Sequence, residues 1–339
     1  MLTFTPIHPT FGAEVHGADL ATLTDEGLEE VKTAIAKYGF LVFRDTGLDD
    51  DGHVAFSKRL GDLDNIARFL TPGRKMRYNH IELFDAGNLD NDGNILDPDS
   101  PRAHQGKGNG IFHVDSSFNP RRASYCLLRS VELPPDGAGG NTTDFADSRT
   151  AYDALPAELQ QQLLANNYVG RHCIAQSRKL GDPEFYHDLD PSTQPHMRHH
   201  ILQRHEPSGR MNLYVGAHLH RLEIEGQGLV DKDESDRLIR EINAHVCSAP
   251  FVTSVTWKQV GDIIMWDNRA VQHRAGEGSY AGKYKRDMRR TTVHDDSPTA
   301  WGLNATTTAM PGFVYDPTGG NTTGAISADL SAPAVAVHS

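Results

Sequence analysis

A mainly β protein with flanking helices, its core a double-stranded β-helix of the jelly-roll type, is the fold class this sequence predicts. Two observations carry it. From Ser124 onward, short runs rich in β-branched and aromatic residues recur between Gly, Pro, Asn and Asp. Helical periodicity is confined to a few segments that interrupt those runs, so the helices are expected outside a closed or sandwiched sheet. The 339 residues show no internal repeat and no shift of composition before about Asp296. One domain over residues 1–296 is therefore expected, with 297–339 as a C-terminal extension whose last stretch is flexible.

In chain order, a short extended entry with turns at Gly12 and Gly17 comes first. Thr24 then offers an N-cap, with Asp25 and Glu26 in the first turn. Leu28, Val31, Ile35 and Tyr38 repeat at helical spacing and Gly39 stands where a terminating glycine belongs. Phe40–Phe43 reads as a buried strand, and His53–Leu60 as a helix stopped by Gly61. Residues 85–110 are rich in Asp, Asn, Gly and Pro and read as a turn followed by a long irregular loop, of the kind that covers active sites. Asn88, Asp90, Asp92 and Gly93 have the spacing of a calcium loop. That reading fails, because Asn stands at the first ligand position, Asp99 at the twelfth, and Pro98 and Pro101 oppose an exit helix. Strands are expected at 124–131, 168–175, 199–205, 211–215, 251–257, 263–266 and 289–293. Helices are expected at 157–165 and 234–247, the latter with Leu238, Ile239, Ile242 and Val246 as its apolar stripe.

Composition excludes several classes of partner. A formal net charge of −12 argues against a nucleic-acid or anionic-membrane surface. No apolar run approaches the roughly 18–20 residues of a membrane span, and the N-terminus has no signal-peptide pattern. Cys126, Cys173 and Cys247 are an odd number without CxxC spacing and read as reduced thiols. The expectation is a cytoplasmic enzyme with a small-molecule substrate, and the sequence is compatible with a homo-oligomer.

The candidate chemistry begins at His113-Val114-Asp115. In an extended strand both side chains project to one face, offering an imidazole and a carboxylate to one metal ion. His273, in Trp266-Asp267-Asn268-Arg269-Ala270-Val271-Gln272-His273-Arg274, can be a third ligand. Two His and one carboxylate suit non-haem Fe(II). A basic run, Lys283 to Arg290, follows in this acidic protein. Strand alternation places Arg286, Met288 and Arg290 on one face and Arg289 on the other. Guanidinium groups pointing into a barrel need carboxylates, and a dicarboxylate cosubstrate would supply them.

These residues carry a family resemblance. With Phe11–Val15, Leu41–Arg44, Asn109–Phe118, Phe145–Pro156 and Trp266–Arg274 all in order, the chain resembles the Fe(II)- and 2-oxoglutarate-dependent dioxygenases of the TauD/TfdA type, over residues 4 to 294 and closer to the 2,4-dichlorophenoxyacetate branch. The resemblance implies that His113, Asp115 and His273 bind Fe(II), and that Arg286 pairs with the distal carboxylate of 2-oxoglutarate beside a threonine hydroxyl. Thr143 matches that threonine; Gly139–Phe145 is one residue longer than the usual run, so Thr142 remains an alternative. Arg290 would lie near the 2-oxoglutarate C1 carboxylate and the substrate's anionic group, and Asn109 would touch the same region. The implied reaction consumes O2 and 2-oxoglutarate, releases succinate and CO2, and oxidises a C–H bond of a small substrate carrying a carboxylate or sulfonate. Ala67–Phe84 and residues 85–110 are expected to supply the discriminating contacts. A non-catalytic jelly-roll binding protein and a zinc-dependent hydrolase are the competing readings.

Overall fold

Thr24 caps the first helix, its hydroxyl accepting from the Gly27 amide at 3.2 Å, and the helix runs Asp25–Tyr38 with Leu28, Val31 and Ile35 buried. Gly39 ends it at φ 77, donating to the Ile35 carbonyl at 2.7 Å. Glycine is needed there twice over. The left-handed backbone disfavours a side chain, and a Cβ would stand 2.8 Å from both Arg149 Nη2 and Val271 Cγ1. The chain turns directly into Phe40–Phe43, every residue of it buried.

The computed structural model describes residues 1–66 and 76–307. Phe40–Phe43 sits inside a seven-stranded sheet. Its order is Thr3–Pro6, Ala13–His16, Phe40–Phe43, Ile263–Asp267, Ala123–Glu132, Asp287–His294, Phe84–Asp85. Facing it is a three-stranded sheet of Val252–Thr256, Thr142–Asp147 and Val271–Ala275, all antiparallel. Phe40, Val42, Cys126, Leu128, Trp266 and Met288 from the first sheet pack on Phe145, Val255 and Val271 from the second. The Phe40 and Phe145 rings stack at 4.3 Å. This is the jelly-roll core the strand-rich sequence predicts, with its apolar layer between two sheets.

The helices lie outside. Leu238, Ile242 and Val246 of the Lys232–Val246 helix are fully buried against Leu222, Leu159 and Leu163. Burying each such side chain contributes about 1.5–3 kcal/mol. Leu222 belongs to a four-stranded sheet of Gly228–Leu229, Leu219–Ile224, Tyr168–His172 and Met197–His200.

Several elements differ from expectation for identifiable reasons. The 168–175 run stops as a strand at His172, and a helix occupies Ile174–Gly181. The 199–205 run is two strands, Met197–His200 and Leu202–His205, broken at Ile201. Residues 85–110 are not all irregular. Asp90 closes a turn by accepting from the Asp92 and Asn94 amides. Pro101 does not oppose a helix but starts one, Pro101–Gly106, as the first residue after the Ser100 cap. The strands Thr142–Asp147, Leu219–Ile224 and Val271–Ala275 were not expected, because polar residues punctuate them. Beyond Asp296, residues 297–307 dock on the core: the Arg122 amide donates to Ala300, and the Asn304 amide group to Pro120 and Arg198 carbonyls. The expected flexible tail and residues 67–75 lie outside the described residues.

Candidate active site

His113 and Asp115 are not on a strand. His113 makes an isolated bridge to His273, each amide donating to the other's carbonyl at 3.0 Å. The chain then leaves the sheet through Ser116, at φ 57. What aims Asp115 is Asn268, which accepts from the Asp115 amide at 2.9 Å and donates to its carbonyl at 2.7 Å. The expectation that the two side chains share a face is met, but by a bridge and an asparagine clamp rather than by strand alternation. His273 rides on Val271–Ala275, paired with Phe145 in the strand beside it.

Ligand atoms of His113, Asp115 and His273 all lie within 4.8 Å of one another, and all three residues are buried. His113 Nε2 is 3.7 Å and His273 Nε2 3.4 Å from the Asp115 carboxylate. His113 Nδ1 is 2.7 Å from the Ile111 carbonyl, which fixes the proton there and leaves the Nε2 lone pair free. Burial lowers the His113 pKa and pulls His273 down to about 3, so both rings are neutral near pH 7. Burial pushes Asp115 the other way, but the Arg290 guanidinium and the two imidazoles outweigh it and hold the carboxyl well below the usual range. Asp115 Oδ2 is buried with no hydrogen-bond partner among the described residues. Two neutral imidazoles, an ionised carboxylate and an orphaned carboxylate oxygen fit a divalent cation.

A cavity of about 600 Å³ opens from this triad. Arg286, Thr143, Arg290 and Asn109 all line it. Arg286 is buried; its Nε donates to the Gly140 carbonyl at 2.8 Å and its amide to Asn88 Oδ1 at 2.8 Å. No carboxylate pairs with its guanidinium among the described residues, and burial lowers its pKa. An unneutralised buried guanidinium fits a carboxylate ligand. Thr143 faces the cavity with its hydroxyl accepting from Trp257 Nε1 at 3.0 Å, whereas Thr142 packs against Gly276, where a Cβ would meet its hydroxyl at 1.8 Å. Arg290 Nη1 donates to Asp115 Oδ1 at 2.6 Å. Asn109 sits on the rim with its side chain exposed.

Sequence reasoning missed the Asn268 clamp, His218 and Arg178. His218 is buried edge-on to His113 at 5.7 Å and to Phe118 at 4.8 Å. Asn268 was legible only as part of the Trp266–Arg274 run. Arg178 was hidden by reading residues 168–175 as one strand.

A jelly roll with two imidazoles and a carboxylate beside a cavity bearing an unneutralised guanidinium defines a mononuclear metal oxygenase scaffold. Comparison with known proteins gives the family. The profile described as taurine catabolism dioxygenase TauD, TfdA family matches residues 3–292. The chain is 33% identical over 294 residues to the alpha-ketoglutarate-dependent 2,4-dichlorophenoxyacetate dioxygenase of Cupriavidus pinatubonensis, covering 86% of this chain and 97% of that one. It is 28% identical to pentalenolactone F synthase of Streptomyces avermitilis, covering 86% and 93%. Among solved structures, AAD-2 in complex with Mn(II) and N-oxalylglycine superposes at a TM-score of 0.73 with 30% identity, covering 88% and 98%. The chain belongs to the TauD/TfdA dioxygenase family. Membership favours the oxygenase over the zinc-hydrolase and non-catalytic readings.

Proposed function

We propose that this protein is an Fe(II)- and 2-oxoglutarate-dependent dioxygenase that oxidises a C–H bond of a small organic acid carrying a carboxylate or sulfonate. The observation that carries it is the pairing, in one cavity, of the His113–Asp115–His273 cluster with a buried guanidinium, Arg286, that lacks an acidic partner among the described residues. Relatives named for 2,4-dichlorophenoxyacetate, phenoxypropionate and sulfate esters support an anionic substrate. Three widely spaced cysteines without CxxC support a reducing, cytoplasmic setting.

His113, Asp115 and His273 would hold the iron, leaving positions open for ligands. When bound, Fe(II) with 2-oxoglutarate and O2 supplies the oxidation of a C–H bond, with succinate and CO2 released. The chain's own residues do the positioning. Arg286 and the Thr143 hydroxyl would take the distal carboxylate of 2-oxoglutarate, with Trp257 holding the hydroxyl in place. Arg290 would stand beside its C1 carboxylate and the substrate, tethered to Asp115. Asn109 would touch substrate from the rim. Phe84, Phe118, Leu128 and Trp266 line the cavity with apolar surface that excludes water. Ala86, Gly87 and Arg102 line it too, which supports residues 85–110 as a cover of the site.

Anaerobic reconstitution tests this reading. Fe(II) plus 2-oxoglutarate gives a weak visible absorption band in the wild type, and His113→Ala removes it. A wild type that binds both without a band, or releases no succinate when oxygen and a panel of small acids are supplied, overturns the assignment.

A further inference from the structure

Charge accounting in the cavity leaves one cation without a task. Of its four lining arginines, Arg102 pairs with Asp85 at 2.9 Å and Arg290 with Asp115 at 2.6 Å. Arg286 has the distal carboxylate of 2-oxoglutarate to receive. The fourth, Arg178, comes from a different wall, the Ile174–Gly181 helix. Its Nη1 donates to the Gln105 carbonyl and stands 3.1 Å from where a Cβ on Gly108 would be. Its Nε is buried with no partner, and no acidic side chain pairs with the guanidinium, in both cases among the described residues. A single carbonyl does not neutralise a guanidinium, which carries five donors and a full charge.

Placement is equally specific. Gly181 and Gly108 abut, a Cβ on either meeting the facing backbone, so the helix is locked against residues 107–110 and Arg178 cannot swing far. The arginine lines the same cavity as His113 and His218. Ile174 and Phe118 line the cavity nearby in the same wall and offer apolar surface.

We propose that Arg178 binds the anionic group of the primary substrate, an oxyanion of the carboxylate, sulfonate or sulfate type, while Arg286 binds the cosubstrate. Two unneutralised guanidinium groups then receive two oxyanions, one from each reactant. Arg178 is a specificity-determining residue: a neutral analogue leaves its half-buried charge uncompensated, and is rejected. The inference rests on the dioxygenase reading and adds the residue that selects the substrate.

The test uses the full chain with Fe(II), comparing wild type, Arg178→Gln and Arg178→Lys. The anaerobic Fe(II)–2-oxoglutarate band reads the dioxygenase assignment separately, since Arg178 has no part in it. Perturbation of that band on titration with 2,4-dichlorophenoxyacetate, hexanesulfonate, hexyl sulfate and the methyl ester of the first reads Arg178 and distinguishes the three oxyanions. Arg178→Gln keeps the band and the 2-oxoglutarate affinity, weakens the preferred oxyanion by about 10- to 150-fold and leaves the ester unchanged; Arg178→Lys recovers part of the loss. Equal oxyanion affinity in wild type and Arg178→Gln, a parallel loss of 2-oxoglutarate affinity, or a wild type that binds no acid better than the ester each overturns the proposal. Should the variants fail to fold, the wild type decides. Phenylglyoxal modification of the Arg178 peptide is slowed by the oxyanion added to the Fe(II)–2-oxoglutarate complex but not by 2-oxoglutarate alone, and protection by 2-oxoglutarate alone sinks the idea.

Discussion

At the start of the strand Asp287–His294 two arginines, Arg286 and Arg289, meet opposite surroundings. Toward the cavity stand Arg290 and, just ahead of the strand, Arg286, which has no carboxylate on its guanidinium among the described residues. On the other face Arg289 donates to Asp50 at 2.5 Å and to Asp287 at 2.9 Å, and Asp287 also receives Arg77 at 2.7 Å. Further along that face, the Thr291 hydroxyl contacts Ser57 at 2.6 Å and His53 Nε2 at 3.2 Å. Residues three positions apart in one basic run thus do different work. A half-buried cation surrounded by its own acids holds the fold, and a buried cation left without one is where the proposed cosubstrate carboxylate would bind.

The largest expected contrast comes from deleting each charge. Arg286→Leu should raise the KM for 2-oxoglutarate by about 100-fold or more, through loss of a charge-assisted contact, while leaving the ligand-free melting temperature unchanged or higher. Succinate release against 2-oxoglutarate concentration, with a thermal melt, measures both; a fall in stability would erase the distinction between the faces. Arg289→Leu should do the reverse, costing about 1–3 kcal/mol of stability because Asp50 and Asp287 lose a partner, with partial solvent exposure discounting the full value. Denaturant unfolding reads the cost, and the KM for 2-oxoglutarate should move less than about threefold.

The threonine pair sharpens the cavity side. Thr143→Ala should weaken 2-oxoglutarate by about 5- to 10-fold, and Thr142→Ala should stay within about twofold, because only Thr143 lines the cavity. Equal effects in a 2-oxoglutarate titration would show that neither hydroxyl is selected. A separate contrast is the effect of pH on the outer face. Burial, with Arg129 close by, lowers His53 from 6.5 to about 3. Its folded pKa is below the unfolded value, so the unfolded chain binds the extra proton: the contribution is fully present above about pH 6.5 and is lost as pH falls toward about 3. Denaturation midpoints from pH 7 to 4 should therefore fall less steeply in His53→Gln than in the wild type; identical slopes would remove His53 from the account.

Much of this comparison was legible in the sequence, for physical reasons. A strand's two-residue period sorts Arg286, Arg289 and Arg290 onto their faces without any structure. Likewise the Thr24 cap, the Leu28–Tyr38 spacing and Gly39 specify the first helix, since capping and periodicity are local. The strands Thr142–Asp147 and Val271–Ala275 were not legible, because Asp144, Asp147 and Arg274 interrupt the alternation; they are stabilised by pairings such as Arg274 with Asp144 at 2.8 Å. Arg178 escaped for a related reason. Residues 168–175 read as one strand, whereas the chain turns at Cys173 into the helix Ile174–Gly181, whose Gly181 packs on Gly108.

By itself the sequence determined the chemistry on offer: two histidines, a carboxylate, a run of arginines and a β-rich scaffold, legible because the residue types and their order along the chain are local facts. Only the tertiary structure decided how those runs meet. The His113–His273 bridge, the Asn268 clamp on Asp115 and the balance of four arginines against their acids join segments far apart in the chain. Whether a charge is compensated depends on what folds against it, and local sequence carries no record of that.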